Sequence, residues 1–188
     1  MFFTIPTIMT WTRIVAIPLI VGVFYAPIDP ATRNLLDTVM FVVFAATDWL
    51  DGFLARKLNQ TSSFGAFLDP VADKFLVCAS LLVLVHLQRA DVFVALIIIG
   101  REIAISALRE WMAEIGARAH VAVSNMGKWK TAAQMLALVI LLANPSDFSF
   151  WVLTGYALLL VAAGLTLWSM LQYLRAAWPH LRTTVEKK

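Results

Sequence analysis

Four aspartates in an apolar part of the sequence have the spacing of a shared functional site, and they are Asp48, Asp51, Asp69 and Asp73. The first two are three residues apart and the last two are four residues apart, so each pair would lie on one face of a helix. Placing an ionised aspartate inside a membrane helix costs about 2.5–3.5 kcal/mol of free energy on the scale from membrane-insertion measurements, which gives the lowest values. Four such charges need a partner, and the simplest is a divalent cation, because carboxylate oxygens suit Mg²⁺ and Mn²⁺.

Three interpretations of the aspartates are open. The first is that the aspartates are solvated loop residues or pair with Lys57 and Lys74. This would not explain their helical spacing or the small residues between them. A carboxylate-lined channel or transporter for divalent cations is the second interpretation, but all four acids lie at one end of their helices. The third is a two-metal site, in which two cations about 3.5–4 Å apart hold a diphosphate and activate an attacking hydroxyl.

The residues between the aspartates favour the two-metal site. Gly52 and Ala55 remove side-chain bulk one turn apart, which lets a ligand approach the backbone or lets helices pack closely. Arg56, one turn beyond Gly52, can offer its guanidinium to a phosphate. The combination therefore points to phosphoryl chemistry on a diphosphate.

The elements that carry these residues are predicted to be membrane helices. The chain has 188 residues, of which 61% are hydrophobic, and this composition is typical of an integral membrane protein. Runs of roughly 20 apolar residues are long enough to cross the hydrocarbon core. We predict an all-α bundle of six transmembrane helices in a single domain, 1–188, with a polar tail from about 179. The predicted helices are 5–25, 35–58, 67–87, 92–112, 126–143 and 148–173.

The connection between the second and third predicted helices, residues 59–65, is short and polar, so these helices are expected to be antiparallel neighbours. Pro70 is placed in the first turn of the third helix. Lys and Arg are concentrated in alternate connections and at the C-terminal end. The positive-inside rule then puts both termini and the acidic end of helices 2 and 3 on the cytoplasmic side.

The motif Asp-x-x-Asp-Gly-x-x-Ala-Arg (48–56), followed after eight residues by Gly-x-x-x-Asp-x-x-x-Asp (65–73), resembles the signature of the CDP-alcohol phosphatidyltransferase family in every fixed position and gap. The resemblance implies a six-helix membrane fold, usually a homodimer. It also implies that a CDP-linked donor, here CDP-diacylglycerol, is joined to an alcohol acceptor with release of CMP.

The resemblance further assigns roles to individual residues. Two Mg²⁺ or Mn²⁺ ions would be bound by Asp48, Asp51, Asp69 and Asp73. Asp69 would be catalytic, and Asp73 would also be the general base for the acceptor hydroxyl. The donor-binding residues would be Gly52, Ala55, Arg56, Ser62 and Gly65.

A second group of charged residues bears on the acceptor. The cations predicted to lie on the same side as the aspartates are Arg101, Arg109, Lys128 and Lys130. Arg101 and Glu102 interrupt an apolar run, so they are expected to face the bundle interior. A cationic cluster beside a diphosphate site predicts a phosphorylated acceptor. The alternative for the two lysines is the positive-inside bias or binding of anionic lipid.

Four further segments, 5–13, 101–114, 127–134 and 165–174, resemble the bacterial branch of the family whose acceptor is sn-glycerol 3-phosphate. This implies a location in the bacterial inner membrane. Inositol phosphate and serine are the alternative acceptors. In the first of these segments, Arg13 either reaches to the membrane interface or points inward at an anionic ligand. The sixth helix shows no evident chemistry, and Trp168 and Tyr173 are assigned to an interfacial aromatic belt.

Overall fold

The computed structural model describes the backbone of residues 5–58, 63–116, 125–144 and 149–185, and side chains within 11–47, 71–116, 129–144 and 149–178. Over this part of the chain the fold is all-helical, without strands, as the sequence predicts. One described helical segment, Phe150–Trp178, is long and apolar enough to cross a membrane by length and composition. The helices are α1 (Ile5–Val23), α2 (Pro30–Leu58), α3 (Ser63–His86), α4 (Val92–Glu114), α5 (Asn125–Ala143) and α6 (Phe150–Val185).

Helix α2 begins five residues earlier than predicted, at Pro30 instead of residue 35. Asp29 explains the earlier start, because its carboxylate accepts a hydrogen bond of 2.9 Å from the Thr32 amide. An aspartate at this position satisfies a backbone N–H that has no helical partner, and proline is tolerated in the following position. The same hydrogen bond lowers the pKa of the Asp29 carboxyl below its usual value. Arg33, which the sequence placed in a turn, is therefore a helical residue.

Helix α3 also begins earlier, at Ser63, so the last residues of the predicted 59–65 connection are helical. The prediction that Pro70 lies in the first turn is wrong, because seven residues of α3 precede it. A proline there leaves the carbonyl four residues earlier without its helical hydrogen bond.

Helix α6 continues through Pro179 to Val185, so most of the predicted polar tail is helical. The sixth helix was predicted to end at residue 173, with a polar tail from about 179. Proline removes one backbone donor, but the residues on either side can continue the helix at the cost of a bend. Only 186–188 lie outside the described backbone at this end.

The contacts divide the chain into two units, and the first comprises Met1–Ala90 with Leu138–Leu153. In this unit α1 packs against both α2 and α3. Its buried face carries Arg13, Ala16 and Ile20, which recur at helical spacing. A small residue between an arginine and an isoleucine lets α1 approach its neighbours closely while Arg13 is enclosed.

A buried polar cluster lies in the same unit around Arg89, in the turn after α3. The guanidinium donates hydrogen bonds to the carbonyls of Leu141 and Leu142, at 3.1 and 3.2 Å, and to the Asn34 side-chain oxygen at 3.1 Å. Asp37 is fully buried beside this cluster, and its carboxylate has no hydrogen-bond partner in the described part of the chain. The cluster ties the α3–α4 turn to α2 and to the end of α5.

The Arg89 cluster should contribute strongly to stability. We expect Arg89→Gln to lower Tm in detergent by at least about 6 °C. Removing one partner of a buried ionic group costs about 3–5 kcal/mol of stability. At this chain length each kcal/mol shifts Tm by about 2–4 °C. A thermal unfolding curve measures the change. Gln88→Asn is the matched control, since the neighbouring Gln88 is exposed and has a left-handed φ of 58° that asparagine tolerates. An unchanged Tm for Arg89→Gln would contradict a stabilising role.

The second unit comprises Asp91–Ala137 with Thr154–Lys188. Helix α4 begins at Asp91, whose carboxylate accepts hydrogen bonds from the Phe93 and Val94 amides. At the opposite end of α4, Met112 and Ala177 are fully buried and pack with Leu108, Trp111 and Tyr173. This packing holds the C-terminal part of α4 against α6.

Candidate functional site

The acidic motif lies on two helices, as its spacing predicts. Asp48 and Asp51 are residues of α2, and Asp69 and Asp73 are residues of α3. The i, i+3 and i, i+4 pairs are therefore on single helical faces. Of these side chains Asp73 is the one within the described part of the structure. The other motif side chains fall outside it, namely Asp48, Asp51, Gly52, Ala55, Arg56, Ser62, Gly65 and Asp69.

Asp73 forms an ion pair with Arg13. An Nη1–H of Arg13 donates to Oδ1 of Asp73 at 2.7 Å, the length of a charge-assisted hydrogen bond. The guanidinium is fully buried, whereas the Asp73 side chain keeps 41% of its surface exposed. Of the two interpretations of Arg13, the inward one is confirmed, although its partner is a motif carboxylate instead of a ligand. The pair fixes one oxygen of Asp73 and stabilises its negative charge.

This arrangement fits a divalent-cation site in its donor chemistry. The four acids supply oxygen ligands only, which suits Mg²⁺ or Mn²⁺ and disfavours soft metals. Asp73 is held at one oxygen by Arg13 and is partly open, so the carboxylate is oriented without being enclosed. Within the described side chains no group of three potential metal ligands meets, and three of the four aspartates lie outside that range.

The second unit contains a buried polar cluster on α4, α5 and α6. Glu102 accepts from Arg101 at 3.2 Å and from Lys130, and Arg101 also donates to the Ser169 hydroxyl at 2.8 Å. Arg101, Lys130 and Ser169 are all buried. The three charged groups sum to one positive charge, so the cluster retains a net attraction for an anion.

Helix α6 contributes side chains to this cluster, a contact that was not predicted from the sequence. Ser169 receives the hydrogen bond from Arg101, and the Arg101 guanidinium lies 5.8 Å from the centre of the Tyr173 ring. Tyr173 is therefore half-buried against a cation, whereas Trp168 is exposed. Their assignment to an interfacial aromatic belt stays a prediction. Thr166, Ser169 and Tyr173 recur at i, i+3 and i+7, and this polar stripe in an apolar helix was the available sequence signal.

The four predicted acceptor-binding cations are not equivalent. Arg101 and Lys130 are buried and share Glu102. Arg109, two turns along α4 from Arg101, is exposed. The side chain of Lys128 lies outside the described residues. Two of the four are thus brought together in the second unit.

Other buried polar residues were not singled out from the sequence. Asn34 and Asp37 are buried in the first unit, and Gln134 and Thr166 are buried in the second. Arg33, Asn34 and Asp37 are close together in the apolar run of α2, so their clustering was a usable signal. The sequence contained no signal that Arg89 would be buried, because a cation in a predicted turn is ordinarily exposed.

Comparison with known proteins places these helices in a family. A model of the CDP-alcohol phosphatidyltransferase family matches residues 3–168. The chain is 55% identical over 188 residues to the CDP-diacylglycerol–glycerol-3-phosphate 3-phosphatidyltransferase of Pseudomonas fluorescens, with 98% of this chain and 95% of the relative covered. Relatives with the same name from Escherichia coli strain K12 and Haemophilus influenzae are 56% and 50% identical. These alignments cover 94% and 99% of this chain, and 96% and 100% of the respective relatives.

Proposed function

Since the chain belongs to the CDP-alcohol phosphatidyltransferase family, we propose that it transfers the phosphatidyl group of CDP-diacylglycerol to sn-glycerol 3-phosphate, giving phosphatidylglycerophosphate and CMP. The observation that carries the proposal is similarity at 50–56% identity along nearly the whole chain to three relatives of that name. The complete acidic motif on α2 and α3 supports the same chemistry.

In this reaction a hydroxyl oxygen of the acceptor forms a bond to the lipid-side phosphorus of the donor. The bond from that phosphorus to the bridging oxygen breaks, and CMP leaves with the oxygen. Asp48, Asp51, Asp69 and Asp73 would hold two Mg²⁺ or Mn²⁺ ions, which supply charge neutralisation on the diphosphate. The residues of the chain bind and orient the two substrates, so catalysis rests mainly on position and electrostatics.

Asp73 would accept the proton of the acceptor hydroxyl. Arg13 donates to Oδ1 of this carboxylate, so the ion pair would hold Asp73 in one orientation. The guanidinium of Arg13 and the proposed cations would share the negative charge of this carboxylate. Alignment of a polarised hydroxyl therefore contributes more than proton affinity. Gly52, Ala55, Arg56, Ser62 and Gly65 are proposed to bind the CDP part of the donor.

The acceptor phosphate is proposed to bind at Arg101, Arg109, Lys128 and Lys130. The net positive charge of the buried Arg101–Glu102–Lys130 group supports the assignment, and the exposed Arg109 could meet a phosphate as it approaches. Glu102 would keep the two buried cations apart and oriented when no phosphate is bound.

Lys130 provides the test of the acceptor site. We expect Lys130→Gln to raise the apparent KM for sn-glycerol 3-phosphate about 10- to 100-fold, because a hydrogen bond to a charged group contributes about 1.5–3 kcal/mol. The KM for CDP-diacylglycerol should change little. Arg175→Gln, at an exposed cation on α6, is the control. An equal effect of Lys130→Gln on both KM values would mean that Lys130 does not bind the acceptor.

We also propose that the protein is a homodimer in the bacterial inner membrane, with six transmembrane helices and with both termini and the active site on the cytoplasmic side. The distribution of Lys and Arg among the connections supports this orientation. The donor has two acyl chains that stay in the bilayer, so a site at the membrane face can reach its nucleotide.

One assay tests the proposed function against the alternatives. CMP release from CDP-diacylglycerol is measured with glycerol 3-phosphate, inositol phosphate and serine, each with and without Mg²⁺. We expect release with glycerol 3-phosphate and Mg²⁺. Release with serine alone would identify a different acceptor. Divalent-cation flux into liposomes without any CMP release would instead identify a transporter.

A further inference from the structure

The guanidinium of Arg101 is held by contacts from two helices in the second unit. On α4, Glu102 Oε1 accepts from its Nη1 at 3.2 Å, and on α6, Ser169 Oγ accepts from its Nη2 at 2.8 Å. The central carbon of the guanidinium also lies over the Tyr173 ring, 5.8 Å from the ring centre. Helix α6 therefore sets the orientation of a side chain that α4 carries.

The Ser169 hydroxyl can serve Arg101 in one direction only. An arginine has no acceptor, so the serine oxygen must accept, and the proton of the hydroxyl must go elsewhere. It goes to the Thr166 carbonyl, at 2.9 Å in the same helix. Ser169 is 2% exposed, so water does not compete for the hydroxyl. The hydrogen bond from Arg101 is thus charge-assisted, and its direction is fixed by α6.

This orientation leaves donors of Arg101 for another acceptor. The guanidinium carries more N–H groups than Glu102 and Ser169 use. Among the described side chains, its Nε–H is buried and has no hydrogen-bond partner. A phosphate accepts from the planar guanidinium at two oxygens together, so its binding depends on the direction in which that plane is held.

We propose that Ser169, with Tyr173 against the guanidinium, is a positioning residue for the acceptor phosphate. It holds Arg101 in the orientation that receives the phosphate of sn-glycerol 3-phosphate. This role rests on the proposed function, which places that phosphate at Arg101. Since Ser169 is itself buried, it acts through Arg101 and not on the substrate. An arginine that is already oriented loses less side-chain freedom when the phosphate binds, which strengthens binding.

Glu102 cannot fill this role alone. One of its oxygens, Oε1, accepts from both Arg101 and Lys130. A phosphate at these cations would repel the carboxylate and compete for the same N–H groups. Ser169 is neutral, so its hydrogen bond with Arg101 persists when an anion arrives. The guanidinium therefore stays oriented in the bound state because of α6.

Ser169→Ala tests the positioning role in the full-length protein purified in detergent. We expect the apparent KM for sn-glycerol 3-phosphate to rise about tenfold, equivalent to about 1.4 kcal/mol. The KM for CDP-diacylglycerol should stay within about twofold of the parent value. A merely structural role would lower Tm and total activity without moving either KM, because KM does not depend on the fraction of folded protein. Ser169→Thr should restore the parent KM, since threonine keeps a hydroxyl that can donate to the same carbonyl.

Ser80→Ala is the matched control. Ser80 is a fully buried serine of α3, and its hydroxyl donates to the Leu76 carbonyl of its own helix at 2.9 Å. The change removes the same helix-internal hydrogen bond but no hydrogen bond from a cation among the described side chains. Both KM values should match the parent. An equal rise in the acceptor KM for Ser80→Ala and Ser169→Ala would overturn the assignment.

A double-mutant cycle with Arg101→Lys shows whether Ser169 acts through Arg101. The lysine keeps the positive charge but has no planar guanidinium to orient. In that background we expect Ser169→Ala to raise the acceptor KM by less than about twofold, because residues of one hydrogen-bond network are coupled. A tenfold rise in both backgrounds would mean that Ser169 acts independently of Arg101, and would overturn the positioning role.

Tyr173 decides the question if Ser169→Ala does not fold. Tyr173→Phe keeps the ring beside the guanidinium, whereas Tyr173→Leu removes it. We expect Tyr173→Leu to raise the acceptor KM about threefold and Tyr173→Phe to leave it unchanged, since the aromatic ring attracts the cation. Equal KM values for the two variants would overturn the positioning role of α6.

The measurements separate this role from the proposed function. If CMP is released and Ser169→Ala keeps the parent KM for glycerol 3-phosphate, the positioning role fails while the transferase reaction stands. If the parent releases no CMP with any acceptor, the proposed function fails. Ser169 is then judged by calorimetric titration of glycerol 3-phosphate without donor. A tenfold higher Kd for Ser169→Ala supports the role, and equal Kd values or no binding overturn it.

Discussion

Replacing Asp69 with asparagine is expected to abolish CMP release at every Mg²⁺ or Mn²⁺ concentration tested. The amide has nearly the same shape as the carboxylate but carries no charge, so a ligand proposed to bind the cations loses most of its attraction. Metal ions contribute several kcal/mol to stabilising charge in such reactions, and about 1.4 kcal/mol corresponds to a tenfold change in rate. We therefore expect a loss of at least about a thousandfold.

Asp91→Asn is the matched control for Asp69→Asn. It makes the same chemical change at an aspartate whose carboxylate caps α4. Asparagine caps helices as well as aspartate does, so both stability and activity should stay at the level of the parent. If Asp69→Asn keeps near-parent activity, Asp69 is not a metal ligand. Recovery of its activity at high Mg²⁺ would show a weaker contribution to metal binding than proposed.

The second large effect is expected for Arg13→Gln. This change removes a fully buried guanidinium that donates to Asp73 at 2.7 Å. Breaking a buried ion pair costs about 3–5 kcal/mol, and we expect the lower end here because Asp73 is 41% exposed and partly screened by solvent. The freed carboxylate can rotate, so kcat should fall about 100-fold through loss of orientation.

The measurements for Arg13 separate positioning from folding. A purely structural role predicts a lower Tm with little change in kcat per folded molecule. A positioning role predicts a lower kcat with KM for sn-glycerol 3-phosphate nearly unchanged, and a partial rescue by Arg13→Lys, which keeps the charge without the guanidinium geometry. If Arg13→Gln leaves both Tm and kcat at the values of an exposed control, Arg175→Gln, then the ion pair has no role in catalysis or stability.

Most of the helical architecture could be predicted from the sequence. The six helices follow the apolar runs, and the aspartates lie on α2 and α3 as their spacing requires. The errors lie at the helix ends, at Pro30, at Ser63 and beyond Pro179. Capping and proline geometry decide these ends, and a proline can start, bend or end a helix with the same local sequence pattern.

The side-chain partners could not be predicted in the same way. Arg13 had two interpretations because a membrane arginine can reach the interface or pair inside the bundle. Its partner Asp73 is 60 residues away in the sequence. Arg89 was expected in a turn, but it donates to carbonyls more than 50 residues away. The involvement of Ser169 and Tyr173 with Arg101 likewise depends on how α4 packs with α6.

The sequence by itself determined the class of fold and the acidic motif, because each depends on residue types and on spacings along one or two helices, and its resemblance to a known family implied the reaction. Only the tertiary structure decided that Asp73 is held by Arg13 and that Lys130 and Arg101 share Glu102. These features depend on the rotation and approach of helices distant in sequence. Periodicity identifies which face of a helix is apolar, but packing selects the residues that meet across it.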